Sequence, residues 1–161
     1  MRPLTPLEAA AAVALIGSIL AATVPTFVRN LHASRMAEPI EGLSRIAARA
    51  TALAAGAAPE SAYPESAPLT PAAVPRAELV TDPPGTWDHP TWRLLDFRWT
   101  VPHAYSFEFE SGNSAEESRF IARAHGDLDG DGVRSTFAIA GEMKRGGEPQ
   151  ILPMDIHREV E

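Results

Sequence analysis

The sequence predicts an α+β fold: a long N-terminal helix, one half apolar and the other amphipathic, packed on a small antiparallel β-sheet. Three observations predict it. Residues 9–28 carry no charged side chain, and twenty residues at 1.5 Å rise make a helix of about 30 Å, the hydrocarbon thickness of a bilayer. From Leu31 to Leu53 the apolar residues recur mostly three or four apart, which is one face of a helix. Beyond Pro102 the hydrophobic period falls to two, the signature of half-buried strands. Five segments follow: residues 1–8 as a short leader and helix start, 9–28 as a transmembrane or assembly helix, 29–56 as its amphipathic continuation, 57–102 as a Pro-rich connecting loop, and 103–161 as the sheet.

Within the apolar run, Leu15, Ile16, Ile19, Leu20, Val24, Phe27 and Val28 carry most of the drive into an apolar medium; much of the rest is alanine. Glu8 stands at its head and Pro25 near its end. A carboxylate suits the positive end of a helix dipole, but in lipid it is costly without a partner charge. Proline removes one backbone hydrogen bond and crowds the preceding turn, so the helix is weakest at Pro25.

These features together resemble the N-terminal segment of type IV pilins and type II secretion pseudopilins. With Leu4 as first mature residue, Thr5, Glu8 and Pro25 fall on that family's Thr, Glu and helix proline. The resemblance covers about forty residues. It implies a pilin-like fold and a structural subunit of a type IV pilus or secretion pseudopilus. It also implies that Glu8 pairs with the N-terminal amine of a neighbouring subunit, and that the helix loosens at Pro25 during assembly. The implied partners are like or related pilin subunits, the inner membrane, and a prepilin peptidase cutting between Pro3 and Leu4; the family has Gly where this chain has Pro3. The implied location is the bacterial inner membrane, single-pass, with the C-terminal domain in the periplasm, or a fibre once assembled. By count of basic residues, Arg2 before the run against Arg29, Arg35, Arg45 and Arg49 after it, the opposite orientation is expected. A membrane-anchored periplasmic binding or adhesion domain that does not polymerise is the alternative.

In the amphipathic continuation the expected buried face is Leu31, Met36, Ile40, Leu43, Ile46, Ala47, Ala50 and Leu53, with Pro39 a possible kink and Gly56 and Pro59 as stop signals. Prolines crowd the following segment and argue against helix and central strand there. Tyr63, Trp87, Trp92, Leu94, Leu95, Phe97 and Trp99 argue that much of it is nonetheless packed, since disordered linkers are poor in aromatics. Three strands follow, in AYSFEFES, RFIARAHG and VRSTFAIAGE. Tyr105, Phe107 and Phe109 share one face of the first, and Phe120, Ala122 and Ala124 one face of the second.

Between the second and third strands lies HGDLDGDGVRS. Asp127, Asp129 and Asp131 alternate and Gly132 follows, which opens like an EF-hand calcium loop. The twelfth position is Ala138 instead of Glu, and the flanks are strands, so it is not an EF-hand. Two readings stay open. One is a shortened Ca2+ turn completed by the Val133 carbonyl, Ser135 and water. The other is a metal-free hairpin in which Asp and Gly supply Asx turns and positive φ. The run from Gly126 to Gly132, followed by Ser135, Thr136 and Phe137, resembles a turn of other pilin-like proteins, and some pseudopilins hold calcium in a loop of the sheet domain.

Composition narrows the rest. A formal net charge of −7 and no basic run argue against a nucleic-acid partner. The chain has no cysteine, hence no disulfide, thiolate site or Cys nucleophile. His32, His89, His103, His125 and His157 form no close metal pair, and there is no G-x-S-x-G, P-loop or GxGxxG. A non-enzymatic protein is expected.

Overall fold

The computed structural model describes residues 5–157. Its elements are the helix α1 (Pro6–Ala54), a 3-10 turn at Pro59–Ser61, β1 (Ala67–Thr70), the short helix α2 (Pro90–Leu94), β2 (Tyr105–Gly112), β3 (Glu117–Gly126), β4 (Ser135–Lys144), β5 (Gln150–Ile151) and β6 (Asp155–His157). The strands form one antiparallel sheet in the order β1-β2-β3-β4-β5, with β6 also pairing with β4.

The expected fold class needs correction. Among the described residues no helix is long and apolar enough to cross a membrane, so the membrane half expected over residues 9–28 is not seen. Nor does a long helix pack as a whole on the sheet. The chain divides into two compact units, Met1–Arg35 and Met36–Glu161, and the boundary falls inside α1. Length gives the physical reason. The 49 residues of α1 would extend about 74 Å at 1.5 Å per residue, whereas the ten-residue strands β3 and β4 reach only about 33 Å. Within the Met36–Glu161 unit the sheet shares its core with Leu43, Ile46, Ala47, Ala50 and Ala54 of α1, and that unit is mainly a small antiparallel sheet.

The helical face in that core also differs from the expected one. Pro39, Leu43, Ile46, Ala47, Ala50 and Ala54 are buried, while Ile40 is 39% exposed and Leu53 only partly buried. Small residues set the face. Gly42 is buried against the sheet, and a Cβ there would come within 2.6 Å of Phe107 Cζ and 3.2 Å of Trp99 Cζ3. Helix continues through Pro39 and Pro25, so neither proline ends it.

Strands β2, β3 and β4 lie where their alternation placed them, with large and small residues interlocking across the ladder. Phe107 opposes Ala124, which opposes Phe137; Phe109 opposes Ala122, which opposes Ile139; and all are buried. Phe120 opposes Gly141 and Tyr105 opposes Gly126, and in each pair a Cβ on the glycine would overlap the ring. The other face of these strands is polar: Arg123 bridges Glu108 at 2.9 Å and Glu110 at 2.7 Å.

Residues 57–102 are more than a connection. They supply edge strand β1 and helix α2, and they bury Tyr63, Trp92, Leu95 and Phe97, though Leu94 is exposed. His89 caps α2 by accepting from the Thr91 N–H at 3.3 Å, and Pro90 supplies a fixed φ at the first helical position. Two bonds fasten α2 to the sheet edge: the Thr91 hydroxyl donates to the Glu65 carbonyl at 2.7 Å, and Trp92 Nε1 donates to Thr70 Oγ1 at 2.9 Å.

Candidate metal centre and the buried acid network

The Asp-rich turn joins β3 to β4, which are not the last strands as expected but are followed by β5 and β6. Strand pairing from Glu117↔Lys144 to Gly126↔Ser135 brings its two ends together. Gly130 and Gly132 take φ of +82° and +92°, the left-handed region that side chains avoid. That path sets one carboxylate oxygen of each of Asp127, Asp129 and Asp131 within 4.8 Å of the others.

Each aspartate also serves the turn. Asp127 Oδ1 accepts from Gly130 N–H at 2.9 Å, Asp129 Oδ1 from Asp131 N–H at 3.1 Å, and Asp131 Oδ1 from Val133 N–H at 2.6 Å. Asp127 is buried and its second oxygen faces Arg76 Nε at 3.6 Å; Asp129 and Asp131 are exposed. The Ala77 N–H donates to the Asp127 carbonyl at 2.9 Å, tying the turn to the Pro-rich segment. Three clustered carboxylates suit a hard cation such as Ca2+, and the same three groups close a hairpin turn through Asx bonds. Val133 enters through its N–H donor. Ser135 is buried at the start of β4. His125, beside the turn in sequence, meets Thr136 Oγ1 at 3.0 Å and Glu108 Oε1 at 3.4 Å.

Glu8 and Pro25 lie in α1, and their side chains fall outside the described ones. The processing pair Pro3 and Leu4 lies outside the described residues.

A second polar cluster was not anticipated. The Glu38 carboxylate accepts from the backbone N–H of Ala104 at 3.1 Å and of Tyr105 at 2.9 Å, joining α1 to the start of β2. Burial pushes its carboxyl above the ordinary value; the two N–H donors and the nearby His103 offset part of that rise. His103 is fully buried, with Nδ1 at 2.8 Å from the Tyr105 carbonyl and Nε2 at 2.9 Å from Asp82 Oδ2. The Tyr105 carbonyl can only accept, so Nδ1 carries a proton and donates to it. Trp87 Nε1 donates to the same Asp82 oxygen at 2.7 Å. Asp82 and His103 are 21 residues apart, and only folding reveals the pair.

Compared with family models, curated proteins and solved structures, the chain shows no match.

Proposed function

We propose that the protein is a non-enzymatic structural subunit that assembles with like subunits through its N-terminal helix, as subunits of a type IV pilus or type II secretion pseudopilus do. The observation that carries this reading is the apolar surface of α1 ahead of the sheet unit. Val13, Leu15 and Ile16 are 71%, 65% and 58% exposed. Large apolar side chains clustered within four residues of one helix favour a covering partner, and neighbouring copies of the same helix supply one. Glu8, five residues ahead of Val13, adds a carboxylate to pair with a neighbour's amine. Before assembly the subunit is held at the inner membrane with the Met36–Glu161 unit in the periplasm. A peptidase cut before Leu4 creates the amine, and the Asp127–Asp129–Asp131 turn takes Ca2+ to stiffen the sheet unit.

Intact-mass analysis of the mature chain tests the processing step. A chain beginning at Leu4 is the expected result. A chain that keeps Met1 or loses residues through Thr23 contradicts it. Retention of Met1 favours the second reading, an anchored periplasmic binding or adhesion domain that does not polymerise. The specific support for that second reading is the cavity described next.

A further inference from the structure

All three tryptophans of the chain line one cavity. It is built from the single segment between Thr81 and Thr100 and measures about 610 Å3, within the range usual for small-molecule sites, about 300–1,000 Å3. We propose that this cavity binds a neutral saccharide, independently of whether the chain assembles.

The cavity has a firm aromatic base. Trp92 and Phe97 are buried, and Trp87 meets them edge-to-face at centroid distances of 5.5 and 5.3 Å. Trp87 and Trp99 are only half-buried. Trp99 is itself stacked on Phe107 at 5.6 Å, so the base is anchored to β2. The wall is held as well: Asp82, which contributes to it, is fixed by Trp87 Nε1 and His103 Nε2.

Charge selects the ligand class. The lining carries Asp82, Asp88 and Asp96 against Arg93 and Arg98. Asp82 is held by His103 Nε2 at 2.9 Å and Trp87 Nε1 at 2.7 Å, and Asp88 is paired with Arg93 at 3.3 Å. Asp96 and Arg98 remain; both are exposed, and among the described residues neither makes an ion pair. The lining thus leaves one carboxylate and one guanidinium without an ion-pair partner among the described residues. A cation gains at Asp96 what it loses at Arg98, and an anion the reverse. A purely apolar ligand strips water from both groups with no compensating bond. A sugar ring satisfies all of them. Its C–H face packs on indole, and its hydroxyls donate to the Asp96 carboxylate and accept from the Arg98 guanidinium. Asp96 takes a φ of +49° just past the end of α2, where the Phe97 N–H donates to the Trp92 carbonyl at 2.9 Å and closes the helix.

Because every tryptophan lines the cavity, intrinsic fluorescence reports its occupancy directly. The full chain is titrated with maltotriose, lactose and triacetylchitotriose, with sialyllactose as the charged counterpart. A saturable change with at least one neutral sugar is expected. So is a loss of about tenfold or more in affinity for Asp96→Asn/Arg98→Gln. Asn tolerates the left-handed backbone as Asp does, and Arg98→Gln alone serves as a second variant at an exposed position; melting curves matching the parent protein show that both are folded. No saturable change with any neutral sugar overturns the proposal. So does tighter binding of sialyllactose, or undiminished binding by the folded variants.

Discussion

At the scale of residues, the sheet unit depends on atoms that are absent as much as on those present. Gly42 lets α1 approach until the Phe107 and Trp99 rings fill the space a side chain would take. Gly42→Ala gains about 1 kcal/mol of helix propensity but overpacks the interface at a cost of about 1–3 kcal/mol. A lower melting temperature is expected, and an unchanged or raised one contradicts the close packing. Glu38 supplies a second residue-scale test. Its folded carboxyl is raised above the ordinary value, chiefly by burial. The folded state therefore holds the proton to higher pH than the unfolded state, and the contribution of Glu38 to stability is present in acid and lost as pH rises through the raised value. Glu38→Gln keeps an acceptor for Ala104 and Tyr105 without the titration. The melting temperature of the parent protein minus that of Glu38→Gln should fall as pH rises; a flat or rising difference contradicts the assignment. Neither Glu38 nor the Asp82–His103 pair was legible in the sequence. Their partners are 66 and 21 residues away, and no spacing rule joins them.

At the scale of elements, what the sequence shows clearly is period. The alternation of Tyr105, Phe107 and Phe109, and of Phe120, Ala122 and Ala124, identified β2 and β3, since a strand with one buried face has no other pattern open to it. The buried face of α1 was read less well. Large side chains such as Ile40 and Leu53 drew the expected face toward themselves, while the sheet's aromatics admit Gly42, Ala47, Ala50 and Ala54. β1 was hidden by Pro68, which an edge strand tolerates because one side of its backbone has no partner. The Asp turn was legible as a ligand pattern, and the structure adds that its carboxylates converge. If they hold Ca2+, chelation should lower the melting temperature. Calcium at a hundredfold excess over Kd stabilises by about 2.7 kcal/mol. Asp129→Asn should remove most of that dependence, since Asp129 is exposed and its Oδ1 bond to Asp131 N–H can be kept by the amide oxygen. A melting curve unmoved by millimolar calcium would assign the three aspartates to turn geometry alone.

At the scale of the whole molecule, the chain joins two units with different demands. The Met36–Glu161 unit buries its own core of aromatic and small residues; the Met1–Arg35 unit leaves Val13, Leu15 and Ile16 exposed. That exposed surface, and not a helix-on-sheet architecture, supports assembly. Because the chain has no cysteine, one introduced thiol reports one contact. The most direct test is mild oxidation of Ile16→Cys in cells, with the covalent dimer measured on a non-reducing gel, with and without Glu8→Ala. The account predicts a dimer that forms through residue 16 and is strongly reduced when Glu8 is removed. A chain that stays monomeric under oxidation, or a dimer indifferent to Glu8→Ala, would contradict it.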